Sequence, residues 1–178
     1  MASPAPLRAA VTGAPGAGKS TLLGELSCRG IATGPEVART ILQSPGGMEL
    51  RASDPRGFAF AMLEAQLVSW HDARGNAEIV VFDRGFPDIA GFLRVEGLEV
   101  PDEIDRVCRE YRYNGPIFHA PAWAEIYRQD AERIQSWGGA MASEDAIAAA
   151  WRSYGYRLIR LPLAPPADRA EFVTSQLT

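Results

Sequence analysis

Apolar residues in this chain follow two rhythms, short unbroken runs and longer stretches at helical spacing, and the two alternate from one end to the other. Residues 7–11 form a short apolar run suited to a buried strand, and beyond a glycine-rich gap Leu22, Leu23 and Leu26 fall on one helix face. A brief apolar segment over 30–33 comes next, then Pro35 at a first helical position and a helix over 36–43. Residues 44–53, rich in Gly and Pro, read as loop. Asp54-Pro55 has the form of a cap followed by a first-turn proline, and Phe60, Leu63, Leu67 and Trp70 mark the buried stripe of the long helix it opens. Residues 78–83, Glu-Ile-Val-Val-Phe-Asp, are the clearest strand, continuous and β-branched as a parallel sheet covered on both faces requires. Helices over 87–95 and 101–112 follow, the second with Ile104, Val107, Cys108 and Tyr111 on one side. Residues 116–119 make a fourth strand. A helix with a polar face over 122–137, broken by Gly138-Gly139, precedes another over 143–153, and strand 157–161 and helix 168–177 complete the series.

This alternation predicts an α/β three-layer sandwich around a five-stranded parallel sheet with right-handed crossovers. A length of 178 residues, 47% of them hydrophobic, suits one domain over 1–178. No apolar run approaches the roughly 20 residues of a membrane span, and residues 1–8 lack the basic start and apolar core of an export signal. The expectation is a cytoplasmic protein with no membrane partner. With 18 basic against 22 acidic side chains the net charge is −4, which argues against a nucleic-acid partner. Cys28 and Cys108 are expected to be buried thiols rather than a staple.

Of the 18 basic residues one is lysine and 17 are arginine, so the position of that lysine carries information. Lys19 stands in Gly13-Ala14-Pro15-Gly16-Ala17-Gly18-Lys19-Ser20-Thr21, which meets the pattern G-x-x-x-x-G-K-[ST] at every defined position. The order strand, glycine loop, helix is what phosphate binding requires. Glycines let successive backbone N–H groups face one anion, and the helix presents its positive end to it. Lys19 then reaches the terminal phosphates and Ser20 offers its hydroxyl to Mg²⁺, so ATP with Mg²⁺ is the expected cofactor pair.

In an open parallel sheet ligands gather beyond the carboxyl ends of the strands, and the remaining polar candidates fall there. Asp83, ending an apolar run, has the form of a carboxylate that holds Mg²⁺. Arg84 follows it where motor-type ATPases place a Glu, and suits a phosphate or anionic substrate. Glu36 past the second strand could accept a proton from a hydroxyl, or pair locally with Arg39 one turn on. Arg128 and Arg133 are candidates for guanidinium groups that reach a transferring phosphoryl group. Phe58, Met62, Arg84 and Asp88 are the expected walls of an acceptor pocket, and the turn 161–166, Leu-Pro-Leu-Ala-Pro-Pro, is a candidate for holding a nucleobase. His71 and His119 show no metal-ligand spacing.

The glycine loop resembles that of the P-loop nucleoside and nucleotide kinases, including the G-x-P-G-x-G-K form of adenylate kinase-like proteins. Through Pro35-Glu36-Val37-Ala38-Arg39, Asp83-Arg84-Gly85-Phe86-Pro87-Asp88, Tyr127-Arg128-Gln129-Asp130-Ala131-Glu132-Arg133 and the closing Pro-rich turn, the whole chain is similar to a family of small bacterial ATPases related to nicotinamide riboside kinase-like domains. The resemblance implies a helical lid, about 122–142, carrying Arg128 and Arg133. It also implies that Glu36 or Asp83 deprotonates an acceptor hydroxyl while Arg84 steadies phosphate or substrate. The expected activity is transfer of the ATP γ-phosphoryl to a small nucleoside-like metabolite. The alternative is a regulatory ATPase that acts through a protein partner. A guanine reader of the N-K-x-D type would need a second lysine, which the chain lacks.

Overall fold

The computed structural model describes residues 6–73, 77–127 and 137–177. Five strands, β1 (Leu7–Gly13), β2 (Ala32–Gly34), β3 (Ile79–Asp83), β4 (Ile117–Ala120) and β5 (Leu158–Arg160), form one sheet in the order β2-β3-β1-β4-β5. Every pairing is parallel; β1 at the centre pairs Val11 with Asp83 on one side and with Phe118 on the other. The α/β expectation is met.

Successive strand residues alternate between two cores because strand side chains have a period of two. Ala10, Val80, Phe82 and Ile117 face one way; Ala9, Val11, Val81 and Phe118 face the other. On the second face α1 (Lys19–Cys28) lays Leu22, Leu23 and Leu26 against Ala170, Val173 and Leu177 of the C-terminal segment, most of it α8 (Pro166–Gln176). The first face takes α2 (Val37–Gln43), α3 (Gly47–Ser53), α4 (Pro55–Asp72), α5 (Phe86–Val95), α6 (Asp102–Glu110) and α7 (Trp137–Ser153). Its centre is aromatic: Trp70 stacks on Phe82 at 5.7 Å and meets Tyr113 edge-on at 5.0 Å, and Tyr113 lies 5.3 Å from Trp151. Tyr111 and Tyr113 thus pack rather than bind. Arg8 rests its guanidinium 4.4 Å from the centre of the Trp70 ring.

Several expectations are corrected. Residues 44–53 are not all loop, because α3 occupies 47–53. The Gly/Pro cluster ends at Gly47, and Met48, Glu49, Leu50, Arg51 and Ala52 are good helix formers, with Glu49 in the first turn and Arg51 in the last to match the helix dipole. Gly138-Gly139 does not break a helix; the pair lies in the first turn of α7, where the alanine-rich sequence beyond it carries the helix on. Residues 124–126 form a turn, not the opening of a helix at Ala122, and Arg128 and Arg133 lie outside the described residues. The stripe of α4 is rotated relative to its expected phase. Phe58, Ala59, Met62, Leu63, Gln66 and Trp70 are buried, while Phe60 and Leu67 are half-buried. Cys108 is buried but Cys28, at the last position of α1, is exposed. Among the described residues no helix is long and apolar enough to cross a membrane.

Candidate functional site

The carboxyl ends of β1, β2 and β3 open into one cavity of about 850 Å³. At one end lies the glycine loop. Gly13 leaves β1 with φ 124°, and a side chain there would run into the Ala120 carbonyl of β4, so only glycine turns the chain at this point. Gly18 (φ 77°) caps α1. Pro15, Gly16, Gly18, Lys19, Ser20 and Thr21 line the cavity; Ala14 and Ala17 are buried behind them.

Lys19 is buried and donates to the Ala14 carbonyl at 2.6 Å, with Gly13 O at 3.5 Å. Burial and the neighbouring Arg84 cation pull its ammonium down to about 8, against the carboxylates around it. Asp83 ends β3 and is buried, with no hydrogen-bond partner for Oδ1 among the described residues. Burial, reinforced by Glu36, lifts its carboxyl to about 6. Asp83 does not cap the following turn. That task falls to Asp88, whose Oδ2 accepts from Gly85 N at 2.9 Å.

Arg84 is the non-glycine residue with positive φ, 69°, among those described. A left-handed arginine is strained backbone, and such strain persists where surrounding contacts over-determine it. Here its N–H donates to Val11 O at 2.9 Å and its Nη1 to Asp88 Oδ1 at 3.0 Å, with Gly13 O at 3.3 Å. Its Nε stands 3.5 Å from Glu36 Oε1. Burial alone raises the Glu36 carboxyl, but Arg84, Lys19 and Arg39 together outweigh it and hold it below the usual carboxylate range. Burial likewise opposes the charge on Arg84, and Asp88, Glu36 and Asp83 more than restore it.

Asp88 lines the cavity, as expected, but both its oxygens are engaged within the protein. Thr12 Oγ1 donates to Oδ1 at 2.6 Å, and the Trp151 indole donates to Oδ2 at 2.9 Å. Thr12 and Trp151 were invisible in the sequence as site residues, one because it precedes the recognised loop, the other because it lies in α7, 139 residues away.

Beyond Glu36 and Arg84 the cavity becomes apolar. Phe58 and Met62 stand on its wall as expected, joined by Leu42, Met48, Ile89, Phe92 and Ile147. Arg51 lies 4.7 Å from the Phe92 ring centre and pairs with Glu96 at 2.9 Å. Gln66, one turn beyond Met62, is a buried amide at this end whose Nε2 has no partner among the described residues. At the opposite end, past the glycine loop, Trp123, Ile126 and the turn Leu163, Ala164, Pro165, Pro166 form the wall with Arg169.

Ser20 is exposed to the cavity, whereas Asp83, a buried carboxylate whose Oδ1 has no partner among the described residues, lies outside the cavity lining; a hydroxyl and a carboxylate are both donor types suited to Mg²⁺. Among the described residues no group of three or more His, Cys, Asp or Glu side chains could hold a metal by itself.

Residues 8–169 match a protein family described as AAA domain. No curated protein matches the chain. Among solved structures, deoxyadenosine kinase from M. mycoides with bound dATP is similar over 96% of this chain and 98% of its own, with TM-score 0.71 at 16% identity. The same enzyme with products dCMP and dCDP gives TM-score 0.69. NadR protein in complex with NR is similar over 97% of this chain and 50% of its own, with TM-score 0.70 at 14% identity. With the glycine loop, the strand order and the family match in agreement, the chain belongs to the AAA domain family and has the fold of the P-loop nucleoside kinases.

Proposed function

We propose that this protein is a kinase that moves the γ-phosphoryl group of ATP to a hydroxyl of a small, nucleoside-like acceptor, and that the whole chain acts as one catalytic domain. The observation that carries the reading is the placement of Glu36. Its carboxylate sits between the phosphate-binding end of the cavity, marked by Lys19 and Arg84, and an apolar pocket walled by Phe58, Met62 and Phe92. A hydrolytic switch needs no such second compartment.

The roles follow from charge and position. The loop 13–21 cradles the triphosphate with its backbone N–H groups and Lys19 neutralises the terminal phosphates. Ser20 and Asp83 would hold Mg²⁺, which would supply positive charge to offset that of the phosphates. Glu36, kept ionised by its cationic neighbours, takes the acceptor's proton as the new phosphoester forms. Arg84, held between Glu36 and Asp88, faces the transferring group and stabilises the charge spread over its oxygens. Arg128 and Arg133, which lie outside the described residues, are assigned to the transferring phosphoryl group. The likeness to a deoxyadenosine kinase and to a protein complexed with NR supports a nucleoside-like acceptor with a flat ring.

The test is ADP release from MgATP, with and without a panel of nucleosides, nucleotides and vitamin alcohols, using Lys19→Ala as the blank. A panel member that accelerates the wild type and gains about 80 Da, the mass of one phosphoryl group transferred, identifies the acceptor. ATP binding with no acceleration by any member would replace the kinase reading with a nucleotide-dependent switch.

A further inference from the structure

The acceptor pocket reaches solvent between α3 and α5. Met48 on α3 and Val95 on α5 line the cavity while remaining 41% and 38% exposed, so they stand at its mouth. Arg51, one turn beyond Met48, crosses this opening: its Nη2 lies 2.9 Å from Oε1 of Glu96, the residue that caps the end of α5. Its guanidinium carbon sits 4.7 Å from the centre of the Phe92 ring and 5.8 Å from that of Phe58, and those two rings meet edge to face at 5.5 Å. Helix α3 packs mainly on α2 and α4, so the contact with α5 is made through this side chain.

Fold stability does not explain the pair. A partly exposed ion pair adds little to it, and a carboxylate at the C-terminal end of α5 opposes that helix's dipole. What the pair does is set the charge at the far end of the pocket. Arg39 and Arg84 act on Glu36, at the end where the hydroxyl reacts. Between them and the mouth, Val37, Leu42, Phe58, Met62, Ile89 and Phe92 carry no charge. At the mouth itself one cation is matched by one carboxylate. An acceptor charged at its remote end must part the two or lie against the member of like charge, whereas an uncharged end does neither.

We propose that Arg51 and Glu96 are the specificity-determining pair of the acceptor pocket: they close its mouth behind an acceptor whose end remote from the reacting hydroxyl is uncharged, and they exclude acceptors charged at that end. This narrows the acceptor class and rests on the acceptor half of the kinase reading.

Calorimetric titration of the whole chain, with no ATP turnover required, tests it. The probes are three naphthalene alcohols, each with a hydroxymethyl group at one end of the ring system and a methyl, carboxylate or aminomethyl group at the other. The wild type is expected to bind the methyl compound about tenfold or more tightly than either charged one. Glu96→Gln leaves Arg51 without its counter-charge, so the carboxylate compound should gain about tenfold relative to the methyl compound. Arg51→Gln leaves Glu96 instead and should give the same relative gain to the aminomethyl compound. The double variant should show neither gain. The same ratio of the three affinities in the wild type and both single variants would overturn the proposal. Losses shared equally by all three compounds, as a merely structural pair would give, overturn it too. Failure of all three to bind a wild type that binds MgATP would remove the acceptor half of the kinase reading, and the proposal with it.

Discussion

Asp88 receives the Nη1 of Arg84 at 3.0 Å across four residues, and the same carboxylate takes the Thr12 hydroxyl, the Gly85 N–H and the Trp151 indole. Four donors on one buried carboxylate leave Arg84 a single position, with its Nε turned toward Glu36. Asp88 therefore positions Arg84, the arginine that the kinase reading sets on the transferring phosphoryl group. Asp88→Asn keeps the shape but removes the charge and offers an N–H where a donor already sits. We expect transfer rate to fall tenfold or more with nucleotide affinity held within about threefold, and stability to fall by about 2 kcal/mol for the mispaired buried groups. Turnover kinetics beside chemical denaturation separates the two effects; a loss of stability with no change in turnover would deny Asp88 its positioning role.

Asp83 gives a pH signature. Its folded carboxyl titrates near 6, above the ordinary value of 3.8, so its contribution to stability is fully present below about 3.8 and is lost as pH rises through about 6. Lys19, drawn down to about 8, titrates above this window, and Glu36, held below its ordinary value, titrates under it. His119 is pulled down by burial and contributes in the opposite sense, but equally to wild type and variant. Asp83→Asn should thus be more stable than the wild type at pH 7.5, by on the order of 2 kcal/mol or about 4–8 °C in Tm, with the advantage shrinking on acidification and vanishing only below about pH 3.8. Melting curves over that range check it, and a gap that does not narrow on acidification would contradict the assignment.

The sequence carried those parts of the fold and site that depend on local pattern. The glycine loop is legible because every atom it needs is backbone or contiguous, and the apolar strands because a covered parallel sheet admits little else. Glu36, Asp83 and Arg84 could be placed because they stand at strand ends, where topology alone puts them near the loop. Arg169, Gln66 and Trp151 could not: each sits on a helix among apolar neighbours and acquires its meaning from a partner or a missing partner distant in sequence. The error at residues 44–53 has another cause, since Pro45, Gly46 and Gly47 dominated a window that is helical from Gly47 onward.

The two thiols should behave differently. Cys28 is exposed at the end of α1, whereas Cys108 is buried beneath Tyr154, with burial pushing its thiol up to about 12. Because the thiolate is the reactive form, a maleimide at pH 7.5 should modify one thiol of the native protein rapidly and the second only after denaturant is added. Mass spectrometry of the labelled peptides counts them. Rapid double labelling of folded protein would contradict the packing of α6 beneath Tyr154.

The division of labour between the two carboxylates yields the most discriminating prediction for the kinase reading. Glu36 lines the cavity beside Arg84, whereas Asp83 is buried at the end of β3 with an oxygen that has no partner among the described residues. If Glu36 takes the acceptor's proton, Glu36→Gln should lower phosphorylation of the acceptor by about 10²–10⁴-fold while leaving MgATP affinity and the Mg²⁺ concentration for half-maximal activity nearly unchanged. Removal of Asp83 should do the reverse in kind, raising the Mg²⁺ requirement because a metal-holding oxygen is gone. Glu36→Gln also deprives Arg84 of a charge-assisted partner, so some loss could arise from a displaced guanidinium. Glu36→Asp separates the causes: it keeps the proton acceptor, shortens its reach and should recover part of the rate. Equal Mg²⁺ shifts in both carboxylate variants, with no recovery by aspartate, would assign Glu36 to the metal and leave the proton acceptor elsewhere in the cavity.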